Sequence, residues 1–120
     1  MVYADTGFFI SLMDEKNALH KDAEKNYNNI YKNQINTSIL TLAELLVGCE
    51  KHGQDPETIV GSLFQISDVA GITLEEAMRA AHYMKAKRMK AIDALHCGLA
   101  GNEIISSDKD MNKTGIKRIW

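Results

Sequence analysis

At 120 residues, 45% apolar and 25% charged, the sequence has the balance of a globular domain, which excludes collagen-like, low-complexity and strongly disordered chains. A net charge of −2 argues against a plain electrostatic DNA binder, whose domain is normally strongly basic. One Pro and eight Gly are too little turn punctuation for a strand-dense all-β fold.

Val2-Tyr3-Ala4 predicts a short strand that runs into the polar turn Asp5-Thr6-Gly7, and Phe8, Phe9, Ile10, Leu12 and Met13 predict a short buried helix. Leu19, Ala23, Tyr27, Ile30 and Tyr31 recur at helical spacing in a polar stretch, so an amphipathic helix is expected from Asn17 to Lys32. Gln34 to Ser38 reads as a second strand. Thr41 with Glu44 three positions on has capping-box spacing for the next helix, whose apolar stripe is Leu42, Leu45, Leu46 and Cys49 and whose stop is Gly53. Pro56 suits the first turn of a helix carrying Ile59, Val60, Leu63, Phe64 and Ile66. Val69 to Thr73 reads as a third strand, and Thr73 can cap a helix with Leu74, Ala77, Met78, Ala81 and Met84, in which Met78 and Met84 are expected to be core. A further helix is expected from Ala91 to Ala100, ended by Gly101-Asn102, then a fourth strand over Glu103 to Ser106 and a weak fifth over Ile116 to Ile119.

This alternation predicts an α/β fold: a three-layer sandwich with a mostly parallel central sheet and helices on both faces, one domain over residues 1–120. Right-handed crossovers bring the C-terminal ends of parallel strands to one edge, and in open sheets that edge is where sites form. The apolar runs are far shorter than the roughly 20 residues that span a bilayer. The N-terminus lacks a basic leader pattern, so a cytoplasmic protein with no membrane contact is expected. Cys49 and Cys97 then read as buried, unbridged thiols.

Four acids are expected within reach of that edge. Asp5 follows the first strand, Asp108 follows the fourth, Glu44 lies early in the helix after the second, and Asp93 opens the helix before the fourth. Carboxylates gathered in one cleft repel, and a divalent cation resolves the conflict. Hard oxygen ligands suit Mg²⁺ or Mn²⁺ rather than zinc. With the four acids set aside, the 14 basic side chains outnumber the remaining acidic ones, so a cationic shell surrounds an acidic hole. That arrangement suits a polyanion. Lys87, Arg88 and Lys90 before Asp93, and Lys109 after Asp108, are candidates for phosphate contacts that position a nucleic acid without reading its sequence.

Each acid also has a plainer reading. Asp5 can cap the helix that follows it, Glu44 can complete a capping box, Asp93 can complement a helix dipole, and Asp108 and Asp110 can form Asx turns. The four histidines have no metal-ligand spacing among themselves, although His96 shares a helix face with Asp93. Asp5-Thr6-Gly7 also spells the aspartic-protease triplet, but that chemistry pairs two such triplets in a β-rich fold and the chain has one copy. A phosphotransfer acid on a doubly wound sheet explains Asp5 and leaves Glu44 and Asp93 without a role.

In order along the chain, Val2-Tyr3-Ala4-Asp5-Thr6-Gly7-Phe8-Phe9-Ile10 resembles the opening motif of PIN-domain ribonucleases, above all the small VapC-type toxins of toxin–antitoxin pairs. Thr37-Ser38 with Leu42-Ala43-Glu44-Leu45-Leu46 resembles their second motif, Ile92-Asp93-Ala94-Leu95 with Ala100 their third, and Ile104-Ile105-Ser106-Ser107-Asp108-Lys109-Asp110-Met111 their fourth. The resemblance implies a Mg²⁺- or Mn²⁺-dependent endoribonuclease with Asp5, Glu44, Asp93 and Asp108 as both catalytic and metal-binding residues. Thr6 and Ser106 would be supporting hydroxyls, and Asp110 would assist or replace Asp108. It further implies an RNA substrate, a cognate antitoxin as partner and a homodimer. The competing reading is a non-catalytic module of the same fold that binds RNA or protein.

Overall fold

The computed structural model describes residues 1–30 and 34–120. Among them, five short strands form one sheet: β1 Val2–Ala4, β2 Ile35–Ser38, β3 Asp68–Ala70, β4 Glu103–Ile105 and β5 Lys117–Ile119, in the order β3-β2-β1-β4-β5. Every pairing is parallel, with Tyr3 opposite Asn36 on one side and Ile104 on the other. Parallel neighbours need crossovers. These are supplied by α1 Thr6–Met13, α2 His20–Asn29, α3 Ile39–His52, α4 Pro56–Ile66, α5 Leu74–Lys87 and α6 Ala91–Ala100, with a 3-10 helix at Lys109–Thr114 before β5.

The central strands β1, β2 and β4 are largely buried, and their side chains alternate between the two faces. Tyr3 and Ile104 pack with Ala80, Ala94, Cys97 and Met111 beneath α5 and α6. Ala4, Ile35 and Ile105 pack with Phe8, Phe9, Ala23, Leu45 and Leu63 beneath α1 to α4. The expected three layers are therefore present. From β1 the chain builds outward to β2 and β3, then returns to lay β4 on the other side of β1. That reversal makes the C-terminal ends of β1 and β4 the switch point of the sheet, the place where open parallel sheets form their sites.

Several local signals act as expected. Gly53 ends α3 at φ 65°, a left-handed position that favours glycine. Pro56 opens α4 behind the N-cap Asp55. Thr73 caps α5 in a reciprocal box with Glu76, at 2.8 Å and 3.2 Å. Cys49 and Cys97 are buried and unbridged, and burial pushes the Cys97 thiol up to about 11. Among the described residues, no helix is long and apolar enough to cross a membrane.

Other expectations are corrected. Ser38, not Thr41, caps α3, its Oγ accepting from the Leu40 N–H at 3.2 Å. Strand β2 passes into the helix without a turn, which leaves Thr41 fully buried inside it, 2.8 Å from the Thr37 hydroxyl. Glu44 is thereby not part of a capping box. Helix α2 starts at His20 because the Asn17 side chain accepts from the Leu19 N–H at 2.9 Å and holds a local turn ahead of it. Its expected end at Tyr31 and Lys32 lies outside the described residues. Strand β3 starts one residue earlier than expected and ends at Ala70, three residues short of Thr73, and Ile72 beyond it is exposed. Met78 and Met84 are exposed rather than core, at 63% and 45%, because α5 buries Ala80 on a narrow face against α6. That contact is close: a Cβ on Gly98 would lie 2.6 Å from the Glu76 carbonyl oxygen. Arg79 clamps the same place, donating two N–H bonds to the Gly98 carbonyl at 3.1 and 2.9 Å.

Candidate metal centre

Asp5 stands at the switch point because the ladder continues one residue past β1, its N–H donating to the Ile105 carbonyl at 3.2 Å. Its carboxylate is buried, and Oδ1 accepts from the Phe8 N–H at 3.0 Å as the N-cap of α1. The capping reading therefore holds for this residue, and its carboxylate also faces the C-terminal edge of the sheet that the site reading requires. Burial chiefly, with the charge of Asp108, raises its pKa above the ordinary carboxylate value; hydrogen bonds from Ser106 and Phe8 pull the other way.

Ser106 is anchored just beyond β4, its N–H on the Ile119 carbonyl and its own carbonyl held by Arg118 at 3.0 Å. Its Oγ accepts from the Asp108 N–H at 3.1 Å. Asp108 caps the 3-10 helix by accepting from the Asp110 N–H at 2.9 Å, so the Asx-turn reading is correct too. Asp93 lies in the first turn of α6. Carboxylate oxygens of Asp93, Asp108 and Asp110 lie within 4.8 Å of one another. Burial first, then the charges of Asp108 and Asp110, raise the Asp93 carboxyl, with His96 and Lys90 opposing. Asp108 thus acts on Asp5 and on Asp93, and the three share one electrostatic neighbourhood. Asp110 lies in the cluster with Asp108.

Glu44 is placed differently. Like Asp5, it lies outside the three-acid cluster, but it is half-buried on α3, where its Oε1 accepts from Thr6 Oγ1 at 2.7 Å and from His96 Nε2 at 2.7 Å. Thr6 therefore steadies Glu44 rather than an aspartate. Burial pushes the Glu44 carboxyl up, but the bonds from His96 and Thr6 more than offset it, and its pKa is lowered. A cavity of about 350 Å³ adjoins this carboxylate, lined by Ile10, Met13, Leu45 and Ile59 among others.

His96, for which the sequence showed only a helix face shared with Asp93, is drawn into the contacts of Glu44. It is 3% exposed, and its Nδ1 lies 2.8 Å from the Tyr3 hydroxyl, itself 2.9 Å from Ser38 Oγ. The available signal was its position three residues after Asp93. Nothing local marks Tyr3 as a polar partner, since its place in an apolar strand reads as core. Of the basic candidates, Lys90 is near enough for its charge to lower Asp93, and Lys109 adjoins Asp108. Lys87, the last residue of α5, and Arg88, its C-cap at φ 53°, are both exposed.

The donor set is made of hard carboxylate oxygens. Two carboxyls, those of Asp5 and Asp93, are raised in part by their neighbours' charge. Both observations fit a divalent cation such as Mg²⁺ or Mn²⁺, which relieves that repulsion.

The chain matches the PIN domain family over residues 2–117. It is similar in structure to Mycobacterium tuberculosis VapC20, a sarcin–ricin-loop-cleaving toxin, with a TM-score of 0.80 at 14% identity over 97% of this chain and 96% of that one. It is likewise similar to VapBC2 from Rickettsia felis bound to a DNA fragment from its promoter (TM-score 0.75, 15% identity, 100% of this chain and 99% of that one). A toxin–antitoxin complex from Klebsiella pneumoniae aligns with a TM-score of 0.74 at 22% identity, over 92% of this chain and 90% of that one. None of the curated proteins matches the chain.

Proposed function

The chain belongs to the PIN domain family, and from that premise we propose that it is a divalent-metal-dependent endoribonuclease, the toxin of a toxin–antitoxin pair. The observation that carries the reading is the meeting of Asp93, Asp108 and Asp110 within 4.8 Å, beside Asp5 at the switch point of the sheet. Asp5, Glu44, Asp93 and Asp108 would hold Mg²⁺ or Mn²⁺, with Asp110 adjoining. When bound, such an ion lowers the pKa of water and stabilises charge developing on phosphoryl oxygens.

The chain's own residues supply the rest. Ser106 steadies Asp5 and the Asp108 backbone, and Thr6 steadies Glu44. Lys87, Arg88, Lys90 and Lys109 hold RNA phosphates, which positions the strand and leaves sequence choice to other groups. The partner is an antitoxin that covers the acidic cleft, the working unit is a homodimer, and the compartment is the cytoplasm. Support for the partner lies in the toxin–antitoxin assemblies among the structural neighbours.

The competing reading is a non-catalytic binding module, and the complete acid set weighs against it. Cleavage of an RNA oligonucleotide tests the choice. Asp5→Asn and Asp93→Asn are each expected to abolish Mg²⁺-dependent cleavage with the circular dichroism spectrum unchanged, and EDTA to stop the wild type until Mn²⁺ is added. Full Mg²⁺-dependent activity in both variants would refute the assignment.

A further inference from the structure

We infer that His96, itself held by Tyr3, is a positioning residue that fixes the Glu44 carboxylate for the cleft; this rests on the nuclease reading above. One ring joins segments far apart in the chain. His96 stands on α6, one turn beyond Asp93. Its Nε2 meets Glu44 Oε1 of α3 at 2.7 Å, its Nδ1 meets the Tyr3 hydroxyl of β1 at 2.8 Å, and that hydroxyl meets Ser38 Oγ of β2 at 2.9 Å. The motif that carries Asp93 is thereby tied to the one that carries Glu44.

The direction of the bonds follows from what each group can give. An ionised carboxylate only accepts, so Nε2 carries a proton. The geometry therefore fixes the direction at the carboxylate: His96 Nε2 donates to Glu44 Oε1, and the Tyr3 hydroxyl holds the other side of the ring at Nδ1. The Tyr3 phenol, pushed up to about 12 by burial, keeps its proton.

Both bonds to Glu44 fall on Oε1, one from Thr6 and one from His96. They fix the rotation of a carboxylate on a long, flexible side chain, and Oε2 takes neither bond. A glutamate reaching a cation from a helix needs such restraint more than the aspartates do, since Asp5 and Asp108 are already pinned by the backbone N–H groups they cap. Outer partners that orient ligating carboxylates typically change metal affinity or activity by 10–100-fold when removed.

The test compares His96→Asn, His96→Gln and Tyr3→Phe with Asp93→Asn as control. Gln can place an N–H where Nε2–H lies, whereas Asn falls short of Glu44. His96→Asn is expected to lower kcat for RNA cleavage by roughly 10–100-fold with KM little changed, to weaken Mn²⁺ binding in calorimetry by about tenfold, and to be rescued in both by His96→Gln. Wild-type kcat and Mn²⁺ affinity in His96→Asn, or no rescue by Gln, overturns the inference. Tyr3→Phe, which keeps the ring and removes one oxygen, serves if His96→Asn fails to fold. Nitrogen NMR should then show His96 protonated at Nε2 in the wild type and a mixture of tautomers in Tyr3→Phe, and a wild-type ring protonated at Nδ1 alone overturns the inference. If Asp93→Asn still cleaves and binds Mn²⁺ like the wild type, the nuclease reading itself fails; if Asp93→Asn is inactive and His96→Asn is normal, only the positioning role fails.

Discussion

Replacing Asp93 by Asn removes one of three carboxylates whose oxygens lie within 4.8 Å of one another. In a water-like dielectric two unit charges at that separation repel by about 0.9 kcal/mol, and Asp93 faces two such neighbours. Asp108 and Asp110 are exposed, so the larger low-dielectric figure does not apply and added salt weakens the repulsion further. Against this gain, a charge in the first turn of α6 loses about 0.3–1 kcal/mol of helix-dipole stabilisation when neutralised. The balance favours Asn: the metal-free variant should be more stable by about 1 kcal/mol at low ionic strength, a rise in Tm of roughly 3–5 °C for a chain of this size. The assay is thermal unfolding in EDTA near neutral pH, followed by a Mn²⁺ titration. A ligand of the native state adds about 2.7 kcal/mol at a hundredfold excess over its Kd, and only the wild type should show it, so the order of melting temperatures inverts. Asp93→Asn melting at or below the wild type in EDTA, or equal Mn²⁺ stabilisation of both, would refute the reasoning.

The pH dependence has a definite sign. Asp5 and Asp93 have folded pKa values above their unfolded ones, so in the window between, the native state binds more protons and stability falls as pH rises. Glu44, with a lowered pKa, contributes stability that is lost as pH falls through its folded value. Urea titrations of metal-free protein across the acid range should show a decline toward neutrality that is shallower in Asp93→Asn, and coincident profiles would contradict it. Gly98→Ala forces a Cβ to within 2.6 Å of the Glu76 carbonyl oxygen; overpacking of this kind costs about 1–3 kcal/mol, and an unchanged urea midpoint would count against the close α5–α6 packing. Lys87→Ala with Lys90→Ala should weaken RNA binding at little cost to kcat and flatten the salt dependence by roughly 0.7 for each phosphate no longer neutralised. An unchanged salt slope in binding titrations would remove these lysines from the RNA path.

Much of the fold was legible in the residues because its signals are local. Apolar spacing marks strands and helices, and Gly53, Pro56 and Thr73 place helix ends through their own backbone and hydrogen-bonding chemistry. Asp5 and Asp108 were legible as candidate site residues for a topological reason: they follow strand ends, and parallel crossovers carry those ends to one edge. Long-range geometry decided the rest. Glu44 has capping-box spacing yet is held by Thr6, 38 residues away, and by His96, 52 residues away. Asp110 enters the cluster only because the 3-10 helix turns it toward α6. Met78 and Met84 belong to the helical series Leu74, Ala77, Met78, Ala81 and Met84, none of which is buried; the buried position of α5 is Ala80. Periodicity tells which side chains lie on one face of an element; what covers that face, and which distant donor meets a given carboxylate, depends on register and interhelical distance, which arise only when the layers pack.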